Sequence, residues 1–273
     1  MIGSSQKLLM ARAGVPSGGP WDIGGASYSG VSLDVSAKET SPRDAFFKPD
    51  GTEVYIIGTS SDTVHQYTLS SGWDLSTASF TRSYSVSAQE SLPAGIFFKD
   101  DGTKMYILGL SGDDVNEYSL STAWDISSAS YTQNFSVSAQ DTSPHGLFFS
   151  GDGTKMYFIG IGGVAVEQYA LSSAWDISTA SHVTSEVVSA QNTSPFGVFL
   201  RDDGTNMYVV DFSADDVNQY ALSSAWDIST ASYQKTFSVT NEATAPAGIF
   251  FKDDGTKMYV VCATTDSIHA YDL

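Results

Sequence analysis

The chain has 273 residues, 41% of them hydrophobic and 12% aromatic, which is enough to fill one large all-β domain or two ordinary domains. Its 31 acidic and 13 basic residues give a formal net charge of −18, which repels phosphate and anionic lipid and so argues against nucleic-acid partners. The single cysteine, Cys262, excludes an intrachain disulfide and a cysteine metal cluster, and no apolar run is long enough for membrane insertion.

Residues 1–20 lie outside the pattern that fills the rest of the chain. The Gly, Ser and Pro residues at 14–20 predict a flexible linker. Leu8, Leu9 and Met10 have two interpretations, a disordered tail or a docking peptide that inserts into a groove of a partner. A single basic residue precedes this cluster, too little for a secretory signal, so we expect synthesis and folding in a cytoplasm. We predict an attachment segment over 1–20 and one domain over 21–273.

From residue 21 onward the sequence is a repeat of 51 residues. A Phe-Lys-Asp-Asp-Gly-Thr-Lys-Met-Tyr string at 98–106 returns in variant form, and its glycines fall at equal intervals at Gly51, Gly102, Gly153, Gly204 and Gly255. A long and regular period is typical of architectures built from stacked, equivalent units.

One repeat, residues 84–134, predicts four short strands. Residues 84–88 alternate apolar and small polar residues, and residues 95–99 form a short, mainly apolar strand that ends at Lys99. A tight Asp-Asp-Gly-Thr turn at 100–103 leads into a partner strand at 104–109, and residues 115–120 form the next. A corner containing Trp124-Asp125-Ile126 follows. Helical periodicity is absent throughout the repeat.

These elements predict an all-β, five-bladed β-propeller with four antiparallel strands per blade. Such units bury their apolar faces only against each other, and radial closure achieves this. The last unit ends at Leu273 without a fourth strand, while Trp21-Asp22-Ile23 and the residues after it supply that strand. We therefore expect the N-terminal strand to complete the C-terminal blade. The segment is one residue longer than its equivalents, which predicts a bulge near Gly30.

Most repeated large residues are interpreted as packing. The Trp of each Trp-Asp-Ile motif is expected to cover a corner of its blade while the Asp caps the local turn. One aromatic position is expected to wedge between blades, and it is occupied by Phe47, Phe98, Phe149, Leu200 and Phe251.

The loops before the first strand and between the second and third strands are expected on one face, where acidic residues form a partial ring. Asp and Gly are ordinary turn residues, and weak binding of a cation or an amine is the alternative. No loop has the ligand spacing of a calcium site, so we predict no metal. The residues of this loop face are Asp62, Asp113, Asp114, Asp215, Asp216 and Asp266.

Departures from the repeat identify a second group, expected at the rim of the central channel: Arg43, Asp44, His145, Phe196 and Asp211. Drift in a tolerant loop explains them, or else they form a small polar pocket on the axis. In a catalytic version Asp44 and Asp211 would be an acid–base pair and His145 would transfer protons. However, the even spacing leaves no room for a lid, no nucleophile or zinc motif is present, and Cys262 has no evident His partner in the sequence. We therefore predict a non-enzymatic protein without a cofactor.

Two strings carry a resemblance to known proteins. The string Asp-Gly-Thr-Lys-Met-Tyr-Val at 254–260 is similar to the hairpins of many propeller repeats. The fuller pattern at 123–131, followed by Phe-Ser-Val-Ser-Ala-Gln at 135–140, resembles repeats of bacteriophage virion proteins in tail or head fibres. The resemblance implies a structural protein of the virion that contacts other virion proteins through residues 1–20. It also implies that one propeller face is presented to a glycan or protein receptor on the host surface.

Two other functions are compatible with the same fold. One is a lectin-like, carbohydrate-binding propeller outside any virus. The other is a hydrolase of the glycosidase or lactonase type with a site on the axis.

Overall fold

The repeated units fold into five sheets of four antiparallel strands, and the innermost strands contact one another in cyclic order around a common axis. This computed structural model describes residues 18–273. The arrangement is a five-bladed β-propeller, which confirms the predicted fold class.

Each blade runs outward from an innermost strand, and the bounds follow in blade order. The innermost strands are β2 (Pro42–Phe47), β6 (Pro93–Phe98), β10 (Pro144–Phe149), β14 (Pro195–Leu200) and β18 (Pro246–Phe251). The second strands are β3 (Glu53–Gly58), β7 (Lys104–Gly109), β11 (Lys155–Gly160), β15 (Asn206–Asp211) and β19 (Lys257–Cys262). The third strands are β4 (Thr63–Leu69), β8 (Asp114–Leu120), β12 (Ala165–Leu171), β16 (Asp216–Leu222) and β20 (Ser267–Asp272). The outer strands are β5 (Ala78–Ser85), β9 (Ala129–Ser136), β13 (Ala180–Val187), β17 (Ala231–Ser238) and β1 (Ser27–Asp34).

A short 3₁₀ turn precedes every outer strand, at Ile23–Gly25, Leu75–Thr77, Ile126–Ser128, Ile177–Thr179 and Ile228–Thr230. The Asp of each Trp-Asp-Ile motif caps this turn; Asp125, for example, accepts a hydrogen bond from the backbone N–H of Ser127. The outer strand therefore begins and ends earlier than predicted. The expected strand at 84–88 is only the end of β5, because the fully buried Val86 turns inward to the core.

The ring closes as the sequence predicts. Strand β1 pairs antiparallel with β20, with Ser27 opposite Asp272 and Leu33 opposite Ile268. The register shifts between Tyr28 and Ser32, where Gly30 adopts a φ of 80°. The predicted bulge is confirmed, and glycine suits it because this backbone region is unfavourable for other residues.

A hydrogen bond from each blade to the next explains why Tyr and Trp recur together. The Tyr106 hydroxyl donates to the backbone carbonyl of Trp175 in the following blade over 2.7 Å, and the Tyr259 hydroxyl donates to that of Trp73 across the ring closure, also over 2.7 Å. Trp175 has a φ of 65°, a strained value for a bulky residue. The indole lies on Gly153, where an added Cβ would be 2.3 Å from the ring, so the hairpin glycine is also a packing requirement.

In residues 18–273 no helix is long and apolar enough to cross a membrane. Leu8, Leu9 and Met10, predicted to dock to a partner, lie outside the described residues, as does most of the segment 1–20.

Candidate functional site

The channel has two ends that differ in chemistry. The hairpin face carries the Asp-Gly turns between the innermost and second strands. The connection face carries the links between blades and the turns between the second and third strands. A cavity of about 370 Å³ opens on the hairpin face, whereas the interior below it retains only about 10 Å³. A ligand that enters from the hairpin face therefore stops at the middle of the channel.

The floor of this cavity, which we call the phenylalanine cup, is a ring of five residues, one from each innermost strand: Phe46, Phe97, Phe148, Phe199 and Phe250. Neighbouring rings meet edge to face around the whole circle, with centroids 5.1 to 5.5 Å apart. This is the preferred geometry of aromatic pairs, so the cup is a rigid apolar surface.

Three carboxyl groups stand at the mouth of the cup. Asp100, Asp202 and Asp253 occupy one position of the repeat, where the other two blades have Pro49 and Gly151. The neighbouring Asp of each hairpin has a different role, since Asp101 accepts hydrogen bonds from the backbone N–H and the hydroxyl of Thr103. The turn thus requires only the second Asp of each pair, and the first is available to a ligand.

Partial burial in the cup and repulsion between the carboxylates raise the pKa values of these three groups. Partial burial raises the pKa of Asp253 to about 6, and the charges of Asp202 and Asp100 add to the shift. The pKa values of Asp202 and Asp100 are also raised, by burial first and by neighbouring carboxylates second. Asp253 can therefore hold or release a proton near pH 6.

The nearby cations are engaged elsewhere. Lys99 and Lys252 each pair with the second Asp of their own hairpin, Asp101 and Asp254, over 2.7 Å. Arg201 pairs with Asp203 over 3.2 Å. None of these three cations lines the cavity, so the cup has carboxylates without a matching positive charge.

On the connection face the structure brings together four of the five predicted rim residues. His145 stacks on Phe196 with ring centroids 3.9 Å apart, and the guanidinium carbon of Arg43 lies 5.5 Å from the Phe196 centroid. Phe212, which the sequence analysis missed, extends the stack at 4.3 Å from Phe196. Burial lowers the pKa of His145 to about 3, with a further contribution from the charge of Arg43. The stack closes this end of the channel and contains a neutral imidazole near pH 7.

Asp44 lies beneath that stack and is almost fully buried. Its carboxyl accepts hydrogen bonds from the backbone N–H groups of Ala45 (2.9 Å) and of Ile96 in the next blade (3.0 Å). Burial raises its pKa to about 8, although these two hydrogen bonds oppose the shift. The group therefore links two blades, and it is protonated near neutral pH.

Asp211, the fifth predicted rim residue, is separate from the stack and caps a turn. It accepts hydrogen bonds from the backbone N–H groups of Ser213 (2.8 Å) and Ala214 (3.0 Å). In the first blade Glu39 accepts the equivalent bonds, and Gly58 leaves space for its carboxyl. The pairing of Asp44 with Asp211 as acid and base is therefore not formed in this structure.

The predicted loop-face carboxylates are dispersed around the connection face. Those at Asp62, Asp113, Asp215 and Asp266 have φ between 47° and 54°, as turn residues. Asp114 is bound by Asn116 and Asn134, and Asp216 by Asn218. Within residues 18–273 no group of three or more His, Cys, Asp or Glu side chains is arranged to hold a metal ion.

Cys262 does have a histidine neighbour, which the sequence did not indicate. Burial raises the pKa of its thiol, but the neighbouring polar groups of His269, Thr264 and Thr265 outweigh that effect and lower it to about 6. Cys262 is 0% exposed, however, and its thiol donates a hydrogen bond to the Thr244 carbonyl oxygen over 3.0 Å. It is closed to a substrate in this conformation.

No protein-family model matches the sequence, and no curated protein matches it. Among solved structures, a protein of Bacteroides fragilis NCTC 9343 named as a 6-phosphogluconolactonase is similar, with a TM-score of 0.56, 15% identity and coverage of 85% of this chain and 80% of that one. A luciferin-regenerating enzyme has a TM-score of 0.53 and 14% identity, with 88% and 94% of the two chains covered. A second protein named as a 6-phosphogluconolactonase, from Bacteroides uniformis ATCC 8492, has a TM-score of 0.52 and 14% identity over 82% of this chain. The match spans 64% of that last structure, less than two thirds of its length.

These comparisons contradict the expectation of a non-enzymatic phage virion protein. The similar structures just described are named as enzymes, and none of them is named as a virion component. At such low identity the likeness itself shows the propeller fold. The resemblance of the repeat strings to fibre proteins was misleading because the pattern at 123–131 contains residues that the blade itself needs, the Trp of the corner and the Asp that caps the 3₁₀ turn.

Proposed function

We propose that the protein is a hydrolase whose active site is the phenylalanine cup, acting on a small ester or lactone. The observation that carries the proposal is the group of three carboxyls with raised pKa at the mouth of a cavity of about 370 Å³. Closely spaced carboxyls in different protonation states can act as acid and base at one site. The aromatic floor supplies the apolar, water-poor surface that a substrate body needs.

We assign the two roles to carboxyls of neighbouring blades. Asp253, whose pKa is raised to about 6, is the proton donor, and Asp202 is the base. The oxygen of a water molecule bonds to the carbonyl carbon as its proton passes to Asp202. The bond from that carbon to the leaving oxygen breaks, and the leaving oxygen takes the proton from Asp253. Asp100, in the second blade, adds a third carboxyl to the mouth of the cavity, on the side opposite Asp202 and Asp253.

The charge of the site argues against a phosphorylated substrate. Two of the similar structures are named for a phosphorylated lactone. In this chain the residues lining the cavity include three carboxyls and no Lys or Arg, and the net charge is −18. A phosphate would be repelled on approach and would find no cation to bind it. We therefore expect a neutral or cationic substrate.

The test is hydrolysis of a panel of uncharged aryl esters and five- and six-membered lactones. We expect Asp202→Asn and Asp253→Asn each to lower kcat by about 100-fold or more, the usual contribution of a general acid or base. Asp254→Asn is the matched control, because this adjacent carboxyl is bound by Lys252 and Thr256 in the hairpin. Equal rates in all three variants, or no turnover of any panel member by the unmodified protein, would contradict the proposal.

A further inference from the structure

We propose that the phenylalanine cup binds a small organic cation, an ammonium group with apolar substituents. This inference rests on the proposed function in one respect, since it names the charge class of the hydrolase substrate. The binding itself is a separate property of the cavity and can be measured without turnover.

The first argument is the unbalanced charge of the cavity. Asp100, Asp202 and Asp253 accept no hydrogen bond from a cationic side chain, whereas the second Asp of the same hairpins pairs with Lys99, Arg201 or Lys252. Three like charges at one mouth raise each other's free energy, and a bound cation relieves that repulsion. The ligand that suits this rim is positively charged.

The second argument is the aromatic floor, which is independent of the rim. The cavity is lined by Phe46, Phe97, Phe148, Phe199 and Phe250, and Trp226 is also at its wall, on the blade where Leu200 replaces the wedge Phe. Aromatic faces attract ammonium groups, most strongly when water is excluded, and they attract the apolar substituents as well. Neither a strongly hydrated metal ion nor a neutral sugar gains from both surfaces.

The size of the site distinguishes an organic cation from an inorganic one. About 370 Å³ lies within the range of small-molecule pockets. The three carboxylates do not approach closely enough to form a metal-binding group. A molecule with an ammonium head at the rim and an apolar body in the cup fills this space.

One of the two blades that lack a carboxylate at this position offers a gain-of-affinity test. Gly151 occupies the equivalent position in the third blade, and a Cβ added there would lie 3.8 Å from a carboxylate oxygen of Asp100, an ordinary contact. Gly151 does not have a positive φ, so a side chain is compatible with its backbone. Gly151→Asp would add a fourth negative charge to the rim without a steric conflict at its Cβ.

The experiment is calorimetric titration of the full chain with choline and with its uncharged carbon isostere, 3,3-dimethylbutan-1-ol. We expect choline to bind at least about tenfold more tightly than the isostere, the scale of a partly desolvated cation–π and carboxylate contact. Asp202→Asn and Asp253→Asn should each weaken choline binding, Gly151→Asp should tighten it, and Asp254→Asn should leave it unchanged. Binding should also release protons near pH 6, because a cation favours the ionised carboxyls.

Equal affinity for choline and its isostere, or no binding of choline, would overturn the inference. Stronger binding of calcium than of choline in the same titration would also overturn it, in favour of a metal site. The proposed function fails separately: choline binding without hydrolysis of any ester removes the hydrolase, whereas hydrolysis of neutral esters without choline binding removes only the cationic ligand.

Discussion

Replacing Asp44 with Asn tests whether a buried carboxyl on the axis makes the stability of the propeller depend on pH. The other four blades have Gly95, Gly146, Gly197 and Gly248 at this position, so the acid is not required by the blade. Asn preserves the shape of the side chain, but its single carbonyl oxygen can accept only one of the two hydrogen bonds, from Ala45 to Oδ1 or from Ile96 to Oδ2, and this loss does not vary with pH.

The sign and size of the effect follow from the pKa of Asp44. It is about 8 in the folded chain against a reference value of 3.8, so the folded state holds the proton more tightly than the unfolded state. The contribution of this group is therefore largest below about pH 4 and is lost as the pH rises to about 8. Because pH 7 lies roughly three pH units above the reference value and still below the folded pKa, the folded state loses at most about 4 kcal/mol of stability between pH 4 and pH 7. The Asn variant has no group to ionise at this position and therefore does not undergo this pH-dependent loss of stability.

The assay is urea unfolding of the unmodified protein and Asp44→Asn between about pH 4 and about pH 9. We expect the free energy of unfolding of the variant, relative to that of the unmodified protein, to increase steadily up to about pH 8. Above that pH the difference between the two proteins should remain constant. Asp254→Asn is the control for a carboxyl whose pKa is shifted the other way. Burial opposes the shift, but the hydrogen bonds and the ion pair with Lys252 outweigh it and lower the pKa of Asp254 to about 2. This variant should therefore be less stable than the unmodified protein by an amount that stays constant between about pH 4 and about pH 9, because the contribution of Asp254 is lost only at lower pH. A difference between Asp44→Asn and the unmodified protein that does not vary with pH would refute the reasoning.

Three further predictions concern the blades and the site. Gly109→Asp should strongly destabilise the protein, because an added Cβ would lie 2.0 Å from the Glu90 carboxyl. Adding Glu90→Asn should restore stability, since the pair then reproduces the arrangement of Asn192 and Asp211 in the fourth blade. A double-mutant cycle by thermal unfolding measures the coupling between the two positions. Trp21→Ala should cost about 3 to 5 kcal/mol in urea unfolding, since the indole packs on Phe251 at 5.6 Å and fastens the closing strand. The kcat for a neutral ester should fall as the pH rises through about 6, where Asp253 loses its proton, and Asp253→Asn should abolish that limb of the pH–rate profile.

The fold was predictable because its determinants recur within the chain. The period of 51 residues, the hairpin glycines and the missing last strand together predict the number of blades and the closure by residues 21–34. The position of the outer strand was less predictable. Alternating residues continue beyond Ser85, and only the inward turn of the buried Val86 ends the pairing.

The candidate site was harder to predict, for a reason specific to repeats. The aspartates of the hairpins look alike in sequence, and turn chemistry accounts for each of them when one copy is considered alone. One comparison between copies distinguishes them: the second Asp is present in all five hairpins, whereas the first is replaced by Pro49 and Gly151 in two. The sequence also contains no direct sign that five separate Phe residues form one floor, because that contact exists only once the ring has closed.

The departures from the repeat have opposite consequences at the two ends of the axis. At the connection face Arg43, His145 and Phe196 stack with Phe212 and close the channel with cationic and aromatic groups. At the hairpin face Gly151 takes the place of a charged residue beside Asp100, and the cavity remains open. In a fully symmetric ring the same residue would occupy this position in all five blades, and no carboxyl could be distinguished as acid or base. Loss of symmetry at a few positions is therefore what gives this propeller one open end, with three carboxyls of the same charge at its mouth.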